Sequence, residues 1–126
     1  MQEITIITSN KVGVLAEICE LLGGSGVNIE GISGQGMADK GLIRVVTGDT
    51  ATATKLLTKN GFPHTVGDVF IIEMPDRPGE LAKIARKVAK AGVNVESIYI
   101  LSKNKGAMTQ VAVKTDNNAV AMKFMK

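Results

Sequence analysis

GVLAEICELLGGSGVNIEGI, residues 13–32, and GELAKIARKVAKAGVNVESI, residues 79–98, are two versions of one segment. A shift of 66 residues (79 − 13) aligns them without a gap. Nine of the twenty positions are identical: Gly13/Gly79, Leu15/Leu81, Ala16/Ala82, Ile18/Ile84, Gly26/Gly92, Val27/Val93, Asn28/Asn94, Glu30/Glu96 and Ile32/Ile98. Average residue usage would give about one by chance. A repeat of this kind fixes the architecture before any single element is assigned. The chain is a duplication, with one module over residues 1–67 and a second over 68–126.

Both copies present the same order of elements. Ile4, Ile6 and Thr8 alternate with polar Glu3 and Thr5, the period-two pattern of a half-buried strand, and Phe70, Ile72 and Met74 repeat it. Leu15, Ile18, Cys19 and Leu22 fall at helical spacing, as do Leu81, Ile84, Ala85 and Val88. Gly23-Gly24 and Gly92 are expected to stop these helices, because glycine accepts the left-handed geometry of a helix end. A second strand is expected from VNI or VNV and a third through LIRVV or TQVAV. The glycine-rich stretch GISGQGMADKG between them reads as a flexible connection. DTATATKLLTKNG predicts a second helix capped by Asp49 or Thr50, with DNNAVAMKFMK, starting at Asp116, as its counterpart. A fourth strand follows near FPHTV in the first copy only. The result is an α+β chain of two ferredoxin-like βαββαβ modules, each an antiparallel sheet with helices on one face, the second module lacking its last strand.

Composition narrows the function. The 126 residues are 44% hydrophobic and 21% charged, which fits a soluble globular protein. No apolar run approaches the roughly 20 residues of a membrane helix, and the N-terminus MQEITIITSN lacks the features of a signal peptide. A cytoplasmic location follows as the expectation, to which the single cysteine adds a little. The net charge of +3 is mild. Lys83, Arg86, Lys87 and Lys90 read as a solvated helix face rather than a nucleic-acid surface.

A fold of this kind hosts many functions, so the site has to decide. Metal carriers would need paired cysteines after the first strand, and Cys19 reads instead as a structural thiol on an apolar helix face. RNA reading needs aromatic residues on the central strands; the chain has only Phe62, Phe70, Phe124 and Tyr99, none in the third strands. His64, the sole histidine, has no neighbouring carboxylate or nucleophile and reads as a surface residue. The glycine-rich stretch lacks the Gly-Lys-Ser/Thr ending of a phosphate loop. No enzyme activity, metal or cofactor is expected.

The loop between first strand and first helix remains. Asp76-Arg77-Pro78-Gly79-Glu80-Leu81, followed by Gly92-Val93-Asn94-Val95, resembles the motif of the ACT family of regulatory modules. Asn10-Lys11-Val12-Gly13-Val14-Leu15 with Gly26-Val27-Asn28-Ile29 is a looser version, and the resemblance spans almost the whole chain as two copies. It implies a stand-alone regulatory protein whose effector, an amino acid or related small molecule, sits between adjacent modules. The effector would be held by residues 10–15 and 76–81 and by Asn28 and Asn94. The chemistry agrees: a helix start attracts a carboxylate, glycine permits close approach, Asp76 accepts from an ammonium, and an asparagine side chain donates and accepts. In the first copy Val12 replaces the proline and Asn10 the acid, so loop chemistry ranks that site as the weaker. The competing reading is a regulatory or assembly subunit of a separate amino-acid-metabolism enzyme, with vestigial sites. Because the sequence ends at FMK after the second helix, the second module's first strand is expected to present an open edge. A homodimer is the favoured way to cover it.

Overall fold

The computed structural model describes residues 1–103 and 108–125; Lys126, the last residue of the stretch expected as the final helix, lies outside them. Contacts divide the chain into two compact units, Met1–Gly67 and Asp68–Lys126.

In the first unit the order is β1 (Gln2–Ser9), α1 (Val14–Gly24), β2 (Gly31–Met37), β3 (Lys40–Thr47), α2 (Thr50–Lys59) and β4 (His64–Asp68). The sheet order is β2-β3-β1-β4. The antiparallel register of β1 on β3 sets Ile4 opposite Val45 and Ile6 opposite Ile43. These four residues pack with Ile18 and Leu22 of α1 and Ala53 and Leu57 of α2 in one buried cluster. Each helix therefore offers the sheet two residues four positions apart, one stripe of an amphipathic helix. Asp49 starts α2, its Oδ1 accepting from Thr52 N at 3.2 Å.

The second unit repeats this with one strand fewer among the described residues: β5 (Phe70–Pro75), α3 (Glu80–Lys90), β6 (Val95–Lys103), β7 (Met108–Thr115) and α4 (Asn118–Phe124). Its order is β5-β7-β6, so among the described residues β5 has β7 on one side and no strand on the other. Phe70, Val111, Val113 and Ala121 cluster in its core. The two antiparallel sheets with their helices are the ferredoxin-like modules foreseen from the repeat.

Local departures have physical reasons. Gly23 and Gly24 lie inside α1, and Gly26 with φ of 79° makes the exit turn instead, as Gly92 with φ of 74° does after α3. The glycine-rich stretch is not a loose connection. Residues 31–37 form β2, fully registered on β3 from Gly31↔Val46 to Met37↔Lys40, so only Ala38 and Asp39 turn. Val27–Ile29 precede β2 rather than opening it, and Asn94 precedes β6. Asn117, not Asp116, caps α4, its side chain accepting from Val120 N at 3.3 Å. The Asp116 carboxylate accepts from Asn94 N at 3.0 Å instead. Leu15 and Leu81 are half-exposed and Ala85 is exposed, because Ile18/Leu22 and Ile84/Val88 already fill the stripe that meets each sheet. Cys19 is half-buried.

Candidate ligand-binding site

Each unit turns from its first strand into its first helix through a glycine in the left-handed region, Gly13 at φ 89° and Gly79 at φ 87°. A side chain is strained there, which explains why both copies keep glycine. The same glycines stand at the helix cap position, where they supply no side-chain acceptor. The first-turn bonds Val14 N→Lys11 O and Glu80 N→Arg77 O are long, both 3.4 Å. The early N–H groups thus lie at an open surface: a Cβ built on Gly13 or Gly79 meets nothing within 4 Å.

The two loops differ in what surrounds that turn. In the first, Asn10 is tied to the β2–β3 turn: its backbone N donates to Asp39 O at 2.8 Å and its Nδ2 to Ala38 O at 3.0 Å. Lys11 and Val12 stand exposed at the tip, and Val14 leans on the core. In the second, Arg77 and Lys83 both reach Glu80 Oε1, at 2.9 and 3.1 Å. The hydrogen bond from Lys83 holds the Glu80 carboxyl below its ordinary value. Desolvation opposes this, while the hydrogen bond from Arg77 and both positive charges add to it. Pro78 is exposed, and Asp76 is half-buried and already engaged.

Asn28 and Asn94 lie elsewhere in their units. Asn28, with Glu30, Thr47 and Asp49, lines a shallow cavity of about 260 Å³ beyond the C-terminal end of α1. The 11 residues of α1 put that end about 16 Å from the loop. Neither unit brings its own loop and its own asparagine to one place.

Two cavities flank the first loop. One, of about 820 Å³, opens between it and Asn60–Pro63, with Glu17, Asp39 and Lys40 on its walls. The other, of about 210 Å³, lies toward Gly34, Gly36 and Gly41. Asn10, Lys11, Val14 and Leu15, which line one or both cavities, are among the residues expected from the sequence, whereas the strand residues Gly34, Gly36, Gly41 and Ile43 were missed. Alternate glycines within a strand were the available signal, read there as flexibility. His64 is half-buried, and its Nδ1 donates to Phe62 O at 2.9 Å. Among the described residues no cluster of His, Cys, Asp or Glu is suited to a metal ion.

The model of the ACT domain pair matches residues 1–125. The chain belongs to the ACT domain pair family. A search of curated proteins found no match. Among solved structures, a Bacteroides thetaiotaomicron protein superposes with a TM-score of 0.86 at 28% identity, over 98% of this chain and 84% of that one. The ligand-free regulatory subunit of aspartate kinase from Thermus thermophilus gives 0.73 at 18% identity, over 98% and 89%. Aspartate kinase from Clostridium acetobutylicum gives 0.63 at 17%, where 98% of this ACT pair covers only 32% of the larger chain. At such identities the last two show that the fold is shared. No described helix of the ACT pair is long and apolar enough to cross a membrane.

Proposed function

We propose that this ACT pair is a non-catalytic regulatory protein of the cytoplasm that binds an amino acid or a closely related effector through its strand–helix loops. The supporting observation is the separation within each unit. Each carries a glycine-capped helix start at one end of its first helix and an asparagine about 16 Å away at the other. An effector touching both kinds of group needs two modules, the arrangement that the resemblance implied, and binding then reports on how modules associate. The groups suit an amino acid: first-turn N–H groups for the carboxylate, Asp76 for the ammonium, asparagine for either.

A second reading is favoured by one comparison. The Thermus thermophilus relative is described as a regulatory subunit of aspartate kinase. The present chain would likewise act on an enzyme made as a separate chain, with vestigial ligand sites of its own.

A thermal-shift screen against the twenty amino acids separates the two. At a hundred times its dissociation constant a ligand adds about 2.7 kcal/mol. For a chain of this size that is on the order of ten degrees in Tm. A flat response to all twenty removes the first reading and leaves the enzyme subunit with vestigial sites.

A further inference from the structure

Register places Gly34 opposite Ile43 and Gly36 opposite Gly41, while Ile6 and Thr8 of β1 oppose Ile43 and Gly41 from the other side. Ile6 and Ile43 belong to the core under α1 and α2, so all three glycines share the helix-covered face. They do not share a reason. A Cβ on Gly36 would lie 2.7 Å from Asn10 Nδ2, and one on Gly41 would lie 2.5 Å from Thr8 Oγ1. Those two glycines make room for the side chains of Asn10 and Thr8, the first of which ties the loop to the β2–β3 turn. A Cβ on Gly34 would meet nothing within 4 Å, and its φ is not in the left-handed region. Nothing in the packing requires glycine there, although glycine inside a strand weakens it. The duplication supplies a comparison. Ile100, 66 residues further on, holds the matching position opposite Val111, and it carries a full side chain.

We infer that Gly34 keeps open a selectivity hollow, and that the hollow receives the uncharged, apolar side chain of an amino-acid effector. This rests on the effector-binding reading above and adds the class of ligand and the module that selects it. The hollow of about 210 Å³ has Val14, Leu15 and Ile43 as its apolar walls besides the glycines, and Thr8–Lys11 and Gln35 complete its lining. No carboxylate lines it to pair a cationic side chain, and with the cation of its lining, Lys11, given to the effector's own carboxylate, an acidic side chain would lose its hydration without a charged partner. Lys11, on the loop side, is placed for the effector's carboxylate, and Asn10 and Thr8 supply polar contacts. The first module, ranked second on loop chemistry alone, is the selective one.

The test is Gly34→Val, with Gly34→Ala as the graded step, titrated with glycine, L-alanine, L-valine, L-leucine, L-methionine, L-lysine and L-aspartate. Wild-type affinity should rise with apolar side-chain size, by about tenfold or more from alanine to leucine. Gly34→Val should leave the unliganded Tm unchanged or higher, since a β-branched residue suits a strand. The same variant should weaken leucine or methionine binding by about tenfold or more, with Gly34→Ala between. Unchanged leucine affinity, a preference for lysine or aspartate, or loss of folding in Gly34→Val each overturns the inference alone. A wild-type protein that binds none of the twenty amino acids overturns the effector reading and this inference with it.

Discussion

Thr109 shows how a single residue departs from what its surroundings ask. It lies in β7 opposite Met74, is 1% exposed, and its Oγ1 has no hydrogen-bond partner among the described residues. A buried hydroxyl left without a partner loses its water and gains nothing in return. Thr109→Val keeps the branched shape and removes the hydroxyl. Stability should rise by about 1 kcal/mol, read as a higher Tm or denaturation midpoint; a loss of similar size would mean that the hydroxyl is bonded. The composition of a strand reveals none of this, because threonine, like valine, is favoured in strands. Glu80 teaches the same lesson at the loop. Its sequence position marked it for a ligand, whereas its carboxylate already holds Arg77 and Lys83.

Elements were legible where two independent signals agreed. The repeat and the alternation of Ile4/Ile6 and Phe70/Ile72 placed the strands, and Ile18/Leu22 and Ile84/Val88 the helix faces. β2 was misread because glycine signals a loop through intrinsic propensity, while the ladder to β3 and the space needed by Asn10 and Thr8 override it. The cap of α4 was misplaced by one residue because Asp116 and Asn117 are equally good caps, and the backbone of Asn94 takes the first. The candidate site was half legible: its loops carry a motif, but the hollow depends on which glycines share a face. Caps also make an element-level prediction. Asp49→Ala should destabilise the first unit by about 1 kcal/mol through α2, and chemical denaturation with Asp49→Asn as the control would measure it. Equal stability of Asp49→Ala and wild type would show that the cap contributes nothing.

At the scale of the whole molecule the two units differ at their edges. β1 is flanked by β3 and β4, whereas among the described residues β5 has only β7. A strand with one free side, carrying half-buried Ile71 and Ile72, is a template for pairing. Two copies of the chain meeting about a twofold axis satisfy both edges at once. Sedimentation equilibrium at micromolar concentration should therefore find a dimer, and a clean species of 13.3 kDa would defeat the expectation. The open edge also marks its own backbone. Along a strand successive amides point to opposite sides, so those of β5 divide into a set turned to β7 and a set turned away. In heavy water the first set should keep its hydrogen for as long as the second unit stays folded, while the second should exchange rapidly. Whatever occupies the edge would slow that second set residue by residue, and the isotope pattern along the five amides from Phe70 to Met74 becomes a record of when the molecule is alone.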